Sequence, residues 1–249
     1  MSAEFKGLTA VVTGAGSGIG LAVARALHLE GVRVFGLDLL RGEMAGSATW
    51  IQCDVGNPQE VKLAFEQIAK EVDAIDILAN IAGVGAVGTV EDSTEEEWQR
   101  VLNINVVGIS RISSAAMPLL RKSKSASIVN TCSIAATAGL PKRAVYSASK
   151  GAVMSLTLAM AADAVKEKIR VNCVNPGTAD TPWVERLLSQ AQDPAAERAY
   201  LEARQPLGRL VSADEVASAV LYLASPKQSS TTGTILAVDG GMQGLRLPK

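Results

Sequence analysis

The chain has 249 residues, 48% of them hydrophobic and only 4% aromatic, which is enough for one large domain with an aliphatic core. Its 24 basic and 25 acidic residues give a net charge of −1 and exclude the positive field of a nucleic-acid-binding protein. No apolar run reaches the roughly eighteen residues of a membrane span, no signal-peptide pattern is present, and the three cysteines are scattered. We therefore expect a cytoplasmic protein with buried, reduced thiols and neither membrane nor nucleic-acid partners.

Short β-branched runs alternate with helical patterns along the chain. Strands are predicted at residues 8–12, 32–37, 49–53, 75–79, 126–130, 170–174 and 234–238. Helices are predicted at residues 17–30, 58–71, 94–121, 144–165 and 212–223. The last helix has Ser212 as its N-cap and Glu215 to complete a capping box. Seven strands separated by helices predict a single-domain α/β Rossmann fold over residues 1–249, a seven-stranded parallel sheet with helices on both faces.

Residues 178–209 depart from this alternation. The segment is polar, contains Trp183 and several arginines, and lies between a predicted strand and a predicted helix. An insertion after the carboxyl end of a strand lies over the ligand crevice of an open parallel sheet. The segment therefore predicts a helical substrate lid.

A glycine-rich segment, T-G-A-G-S-G-I-G at residues 13–20, follows the first predicted strand and opens the first helix. Backbone N–H groups at such a turn, with the positive end of the helix, form a pyrophosphate site. A merely flexible turn is the alternative. If the turn binds a dinucleotide, the expected contacts are Gly14, Ser17, Gly18, Ile19 and Gly20.

The end of the second predicted strand carries Asp38, eighteen residues past Gly20. A carboxylate there accepts hydrogen bonds from the adenosine ribose hydroxyls and repels a 2′-phosphate, which favours NAD over NADP. Arg41 lies nearby and could pair with such a phosphate. Asp54 and Val55, after the third strand, are expected beside the adenine, although Asp54 could equally cap its own loop.

Tyr146 and Lys150 stand four residues apart in Y-S-A-S-K, which puts them on one face of a helix. An ammonium there favours the phenolate and lowers the tyrosine pKa from its free value of about 10, so the tyrosine can exchange a proton with an alcohol. Ser133 lies thirteen residues earlier. Such a pair also occurs on solvated helix faces. The single histidine, His28, is far from every motif, which excludes serine–histidine triads and histidine-ligated metal.

Taken together, these motifs resemble the short-chain dehydrogenase/reductase family over essentially the whole chain. The matching residues are 13–20, N-I-A-G at 80–83, Asn105, Ser133, Tyr146, Lys150, Pro176 and Gly177. The resemblance implies that Tyr146 is the acid/base, that Ser133 orients the substrate oxygen, and that Lys150 binds the nicotinamide ribose. It also implies that Asn105 holds a proton-relay water and that the protein is a homotetramer. Further implied cofactor contacts are Asn80, Ala82, Gly83, Pro176, Gly177, Thr178 and Thr181.

Three arginines indicate a small anionic substrate. Arg143 lies three residues before Tyr146, and Arg186 and Arg204 lie in the predicted lid. The lid also contains Trp183, a further candidate substrate contact. A guanidinium binds a carboxylate through two charge-assisted hydrogen bonds. The alternative is that the lid arginines are solvated and pair with neighbouring glutamates, Glu185 or Glu202.

The lid and tail resemble a subgroup that acts on 2-keto-3-deoxy sugar acids, in residues 180–186, 204–210, 240–242 and 245–246. This resemblance implies NAD-dependent oxidation of the C4 hydroxyl of 2-keto-3-deoxy-L-fuconate or 2-keto-3-deoxy-L-rhamnonate. A 3-hydroxybutyrate dehydrogenase is the nearest enzymatic alternative, and a non-catalytic NAD(H)-binding regulatory protein is the alternative of another class. The tail, residues 245–249, is expected to reach a neighbouring subunit and to bring Arg246 near its pocket.

Overall fold

The structure, a computed structural model that describes residues 4–247, contains the parallel sheet predicted from the sequence. The strands of the described chain are β1 Thr9–Thr13, β2 Arg33–Asp38, β3 Thr49–Gln52, β4 Ile77–Asn80, β5 Ser127–Thr131, β6 Arg170–Pro176, β7 Ala179–Asp180, β8 Val211–Ser212 and β9 Ile235–Val238. The main sheet has the order β3-β2-β1-β4-β5-β6-β9, and every pair in it is parallel. The chain changes direction between β1 and β4, where such sheets bind ligands at the carboxyl ends of their strands.

Helices cover both faces of this sheet. Those of residues 4–247 are α1 Gly18–Leu29, α2 Pro58–Glu71, α3 Glu95–Leu102, α4 Gly108–Leu120, α5 Ala144–Ala164, α6 Pro182–Ser189, α7 Pro194–Ala203 and α8 Ala213–Ala224. Alternate residues of β1 serve opposite faces: Val12 packs in the core that contains α1 and α8, and Val11 in the core that contains α2 and α4. Both valines are fully buried. The single-domain α/β fold is confirmed.

The single helix predicted at residues 94–121 is wrong at its centre. A π-helical turn, Asn103–Val107, separates α3 from α4. π-turns inside helices are rare and frequently lie at functional sites. Here the fully buried Asn105 uses its side chain to bind the segment after β4 and helix α5, and apolar periodicity carries no sign of such bonds.

The segment predicted as a lid contains the two helices α6 and α7. The prediction missed a small parallel ladder, in which Ala179 pairs with Val211 and Asp180 with Ser212. These strands, β7 and β8, have two residues each, too few for a periodic pattern to reveal. The ladder joins the two ends of the segment side by side at the edge of the crevice.

The predicted capping box of α8 is present. Ser212 Oγ accepts a hydrogen bond from the Glu215 N–H at 3.1 Å, and Glu215 Oε2 accepts one from the Ser212 N–H at 2.8 Å. The three cysteines are free and buried, as expected. Burial raises the pKa of the Cys53 thiol to about 12, so this group stays protonated at neutral pH.

Three further expectations concern membranes, metals and the tail. Within residues 4–247 no helix combines the length and apolar character needed to cross a bilayer. The same part of the chain brings no three histidine, cysteine or acidic side chains together in a metal-binding arrangement. The predicted tail contact falls partly on Pro248 and Lys249, which lie outside the described residues, and Arg246 donates to backbone carbonyls of its own chain, those of Gln243 and Leu245.

Candidate active site

A cavity of about 400 Å³ opens at the carboxyl ends of the central strands. The glycine-rich turn after β1, the ends of β2 to β6, helix α5 and the lid segment form its walls. The sequence-predicted site residues that line it are Gly14, Ser17, Gly18, Ile19, Gly20, Asp38, Asp54, Val55, Ala82, Gly83, Ser133, Arg143, Tyr146, Lys150, Pro176, Gly177, Thr178, Thr181, Trp183, Arg186 and Arg204. The fold therefore collects residues from nearly the whole length of the chain into one site.

Two predicted site residues, Asn80 and Asn105, lie behind this wall. Asn80 Nδ2 donates to Ser113 Oγ at 3.1 Å and to Asn130 Oδ1 at 2.9 Å, so its side chain is directed into the core and away from the cavity. Asn105 holds the backbone of Val84 at both N–H and C=O, with bonds of 2.8 and 2.9 Å. The Asn80 side chain therefore supports the core, and the expected cofactor contact of this residue stays a prediction. The water-holding role of Asn105 stays a prediction.

The glycine-rich turn is shaped for close approach. Gly14 has φ of +67°, which favours glycine, and a Cβ on Gly20 would lie 2.0 Å from the Gly14 carbonyl oxygen. The Thr13 hydroxyl accepts bonds from the N–H groups of Ile81 and Ala82, both at 3.0 Å, and so joins this turn to the segment after β4. We had not predicted this role for Thr13. Its position directly before the first glycine was the only signal.

Two carboxylates lie at the same end of the cavity. Asp38 accepts the Gly16 N–H on Oδ2 at 2.9 Å and the Leu40 N–H on Oδ1 at 3.2 Å, and each oxygen retains a second lone pair. Asp54 Oδ1 accepts the Gly56 N–H at 2.7 Å, so the loop-capping alternative applies to that oxygen. Both side chains still line the cavity and can accept further hydrogen bonds from a ligand.

The predicted proton-transfer group lies at the centre of the cavity wall. Helix α5 carries Tyr146 and Lys150 one turn apart, with Lys150 Nζ 5.8 Å from the centre of the Tyr146 ring. Lys150 is 4% exposed, and its ammonium donates to the carbonyl oxygen of Thr131 at 2.8 Å. The remaining two protons of this ammonium are available to the cavity.

Ser133 faces the same space from the end of β5. Its hydroxyl accepts the Ala135 N–H at 3.2 Å and retains its own proton as a donor. In the described chain no hydrogen bond joins the Ser133 and Tyr146 hydroxyls, although both line the cavity. Hydrogen bonds between catalytic groups often form only around a bound substrate, and a substrate oxygen can occupy the space between these two hydroxyls.

The three candidate arginines surround the substrate side of the cavity. Arg143 donates to the Ala86 carbonyl at 3.1 Å, and its guanidinium carbon lies 5.3 Å from the centre of the Trp183 ring. Burial lowers the pKa of Arg143 below its ordinary value. The guanidinium carbon of Arg204 lies 5.7 Å from the centre of the Tyr200 ring.

The ion pairs proposed as the alternative for the lid arginines do not form. Glu202 accepts a bond from Arg198 at 3.0 Å, and Arg198 also binds Asp180 at 2.8 Å. Within residues 4–247 neither Arg186 nor Arg204 has a carboxylate partner. This side of the cavity therefore carries guanidinium groups that have no ion-pair partner within residues 4–247.

One contact across the cavity was not predicted. A Cβ built on Gly85 would lie 2.7 Å from Cζ2 of Trp183, so the indole ring rests directly on this glycine. Trp183 belongs to α6, whereas Gly85 belongs to the segment after β4. The lid segment thus contacts the opposite wall through one aromatic ring. The sequence held no signal of this pairing.

Comparison with known proteins places the chain in a family. A family model described as Enoyl-(Acyl carrier protein) reductase matches residues 14–243. A protein of Rattus norvegicus named Dehydrogenase/reductase SDR family member 6 is 38% identical and covers 96% of this chain and 98% of its own. The chain belongs to the short-chain dehydrogenase/reductase family. It is an oxidoreductase of the class that uses a nicotinamide cofactor.

Two other short-chain dehydrogenases are similar over nearly the full length. Cis-4-hydroxycyclohexanecarboxylate dehydrogenase of Sinomonas cyclohexanicum is 37% identical and covers 97% of this chain and 98% of its own. The ligand-free structure of the aldohexose dehydrogenase of Thermoplasma acidophilum superposes with a TM-score of 0.92, at 34% identity and 98% coverage of each chain. These similarities extend across the sheet, the cavity and the lid segment.

The cavity fits the nicotinamide cofactor of this family. Its first turn leaves no room for a side chain at Gly20, which lets the start of α1 pack closely on the turn, as in dinucleotide-binding turns. Asp38 and Asp54 present acceptors to the adenosine end, and Lys150 presents donors near the catalytic end. Donors and acceptors are thus distributed as a dinucleotide would need them.

Proposed function

We propose that this protein is an NAD-dependent dehydrogenase that oxidises the secondary alcohol of a small hydroxy acid to a ketone. The observation that carries the proposal is the positive substrate side of the cavity. Three arginines, Arg143, Arg186 and Arg204, line the same space as Tyr146 and have no carboxylate partner within residues 4–247. An anionic substrate would neutralise this charge and orient its alcohol toward the tyrosine.

Proton transfer is assigned to Tyr146. As a phenolate it takes the proton of the substrate hydroxyl, while the proton of Ser133 bonds to the same substrate oxygen. The Lys150 ammonium, fixed by the Thr131 carbonyl, places its positive charge beside the Tyr146 ring, 5.8 Å from the ring centre. A nicotinamide cofactor, when bound, would accept the hydride that leaves the carbinol carbon. The protein's own part is therefore orientation and proton handling, with Asn105 assigned to a water-mediated relay from Lys150.

The assignment of NAD over NADP depends on Asp38. Its free lone pairs can accept two ribose hydroxyls, and its charge would repel a 2′-phosphate. We expect Asp38→Ala to reduce the NAD-over-NADP ratio of kcat/KM by roughly 10-fold or more, the value of a hydrogen bond to a charged group. Asp73→Ala, an exposed aspartate away from the cavity, is the matched control. An unchanged ratio in Asp38→Ala would exclude this carboxylate from cofactor selection.

Among hydroxy acids, we propose a sugar acid, oxidised at the C4 hydroxyl of 2-keto-3-deoxy-L-fuconate or 2-keto-3-deoxy-L-rhamnonate. One similar protein is named for a hydroxy carboxylate and another for an aldohexose, and a sugar acid combines both features. The resemblance of residues 180–186 and 204–210 to the sugar-acid subgroup supports the same choice. A 3-hydroxybutyrate activity is the second candidate because the same arginines could bind its carboxylate.

The test is a substrate panel assayed with NAD and followed by NADH fluorescence. It contains the two deoxy-keto sugar acids, 3-hydroxybutyrate and a neutral polyol of similar size. Because each charge-assisted bond contributes about 1.5 to 3 kcal/mol, we expect kcat/KM for the preferred acid to exceed that for the polyol by at least roughly 10-fold. A polyol oxidised as well as the acids would refute the anionic substrate. NADH binding without any turnover would favour the regulatory alternative.

We also propose assembly as a homotetramer through the long helices α4 and α5. The exposed apolar side chains Val107, Leu158 and Val165 lie on or beside these helices and support this face. Sedimentation equilibrium of the wild type and of Leu158→Glu tests the proposal. We expect the wild type to sediment as four chains and the variant as a smaller species, whereas a monomeric wild type would refute it.

A further inference from the structure

Two residues outside the cavity hold a loop that lines it. Arg111, on α4, donates from Nη1 to the Val55 carbonyl at 2.7 Å and from Nη2 to Asn103 Oδ1 at 2.9 Å. Asn103, the first residue of the π-turn, donates from Nδ2 to the Gly56 carbonyl at 3.1 Å. These side chains thus form one hydrogen-bonded unit that binds two successive carbonyls of the loop after β3.

The N–H groups of the same loop are bound from within it and from α2. Glu60 Oε2 accepts the Asp54 N–H at 2.9 Å, and Asp54 Oδ1 accepts the Gly56 N–H at 2.7 Å. Carboxylates therefore bind the N–H groups of the loop, while the guanidinium of Arg111 and the amide of Asn103 bind its carbonyls. Such a network fixes a backbone better than the separate bonds would, because each bond polarises and restrains the next.

The contact between the loop and α4 is also sterically tight. A Cβ on Gly56 would lie 3.1 Å from Asn103 Nδ2, and a Cβ on Gly108 would lie 3.2 Å from Cγ2 of Val55. The loop can therefore lie this close to the helix only because both positions are glycine. It cannot move away without breaking the bonds of Arg111, whose charge has no carboxylate partner within residues 4–247.

We infer that Arg111 and Asn103 are positioning residues for the adenosine half of the cofactor. Neither residue lines the cavity, and they act by fixing the wall that Asp54 and Val55 contribute to it. The inference rests on the proposed function in one respect, the binding of adenosine beside this wall. The nicotinamide half of a bound cofactor would contact other elements, so loss of Arg111 should affect the two halves of the dinucleotide unequally.

The experiment measures binding of cofactor fragments to the full-length protein, without turnover. In Arg111→Met we expect the dissociation constants of NADH and ADP-ribose to rise roughly 10-fold, the value of one hydrogen bond from a charged group. That of reduced nicotinamide mononucleotide, which lacks adenosine, should stay within about 2-fold of wild type because none of its contacts is changed. Unchanged ADP-ribose affinity, or equal weakening of both fragments, would overturn the inference.

Three further variants separate positioning from general damage. Arg100→Met removes an arginine of neighbouring α3 that forms an exposed ion pair with Glu97, and it should leave both fragments unaffected. Arg111→Lys keeps the charge and can keep one hydrogen bond, so its affinity for ADP-ribose should lie between those of the wild type and Arg111→Met. Asn103→Ala alone should weaken ADP-ribose binding. Added to Arg111→Met, it should weaken binding little further, because both residues act as one unit. If the two substitutions raised the dissociation constant of ADP-ribose by independent factors that multiply in the double variant, the two residues would not act as one unit.

The fragments also separate this inference from the proposed function. Binding is measured without a hydroxy acid, so a failed substrate panel leaves the Arg111 result interpretable. If the wild type binds neither NADH nor ADP-ribose, the proposed cofactor is wrong and the inference falls with it. If the wild type binds both and Arg111→Met does too, only the inference is wrong.

Discussion

The two ends of the cavity use their polar groups in opposite ways. At the end proposed for adenosine, Asp38 and Asp54 accept hydrogen bonds from backbone N–H groups, and Arg111 binds the loop behind Asp54. At the substrate end, Arg186 and Arg204 have no ion-pair partner within residues 4–247. The first end has its shape before any ligand binds, whereas the second depends on the ligand to balance its charge. Under the proposed function, shape would therefore select the cofactor, and charge would select the substrate.

A buried arginine without a carboxylate does not by itself indicate an anion site, as Arg170 makes clear. It is 7% exposed, and burial lowers its pKa as it lowers that of Arg143. Its guanidinium, however, donates to four backbone carbonyls. Three are at the end of α8, those of Leu223, Ala224 and Ser225, and the fourth is that of Thr231 in the loop that follows. Arg143 makes one such bond and otherwise faces the cavity. What distinguishes the two is the number of donors left for a ligand.

The largest effect should come from removing the group that acts between the two ends. We expect Tyr146→Phe to lower kcat by roughly 10³-fold, because general acid–base catalysis contributes about 10²- to 10⁴-fold. Titration with NADH should give a dissociation constant close to wild type. Near-normal turnover in this variant would mean that another group carries the proton.

The next effect separates the two kinds of arginine. Arg143→Met should raise KM for the preferred acid by roughly 10- to 100-fold and leave KM for a neutral alcohol nearly unchanged. Arg170→Met should leave both KM values unchanged but lower stability by about 1 to 3 kcal/mol, because it leaves buried carbonyls without a donor. Steady-state kinetics and denaturant unfolding measure the two outcomes. Similar behaviour of the two variants would remove the distinction between structural and substrate-binding arginines.

A smaller effect should follow from disturbing the lid contact. Gly85→Ala forces the Trp183 ring away from the opposite wall, and we expect KM for the acid to rise roughly 5-fold, within the usual cost of overpacking. Gly139→Ala, whose added methyl meets nothing within 4 Å, is the matched control. With Trp50 and Trp98 replaced by Phe, acrylamide quenching of Trp183 fluorescence reports the ring directly. Unchanged quenching in Gly85→Ala would show that the ring is not seated on this glycine.

The smallest effect concerns acid stability at the foot of the lid. Hydrogen bonds from Arg209 and from the Ser212 backbone lower the pKa of Glu215 from 4.5 to about 2. The depressed pKa stabilises the fold above pH 4.5, and this contribution is lost as the pH falls toward about 2. The pair is exposed, so we expect wild type to melt only about 2 °C above Glu215→Gln at neutral pH and equally with it near pH 2. If the melting temperatures of wild type and Glu215→Gln differed more at low pH than at neutral pH, the expected direction of this effect would be wrong.

Sequence analysis predicted those parts of the structure that depend on patterns of nearby residues. The seven strands follow from β-branched runs, and the glycine-rich turn and the Tyr146–Lys150 pair follow from spacing within one element. The cavity brings these residues together because all of them lie at carboxyl ends of parallel strands or at the start of the following helix. The roles assigned to them remain predictions that the variants above test.

The sequence could not predict features that depend on contacts between distant elements. The bond from Arg111 to the Val55 carbonyl spans 56 residues, and no local pattern marks either partner. The π-turn contains Asn103 and Asn105, whose side-chain amides bind the loop after β3 and the segment after β4, respectively. Their N-x-N spacing was visible, but only the packed sheet shows that they serve opposite ends of the cavity.

The small ladder of β7 and β8 has a consequence for how this protein can change. It pins both ends of the lid segment side by side, so the residues between them form a loop that is already closed. Lengthening a closed loop costs little chain entropy, about 0.6 kcal/mol for each doubling. Insertions between Thr181 and Leu210 should therefore be tolerated by the fold while altering the roof of the cavity. New substrate ranges can arise there without rebuilding the sheet beneath.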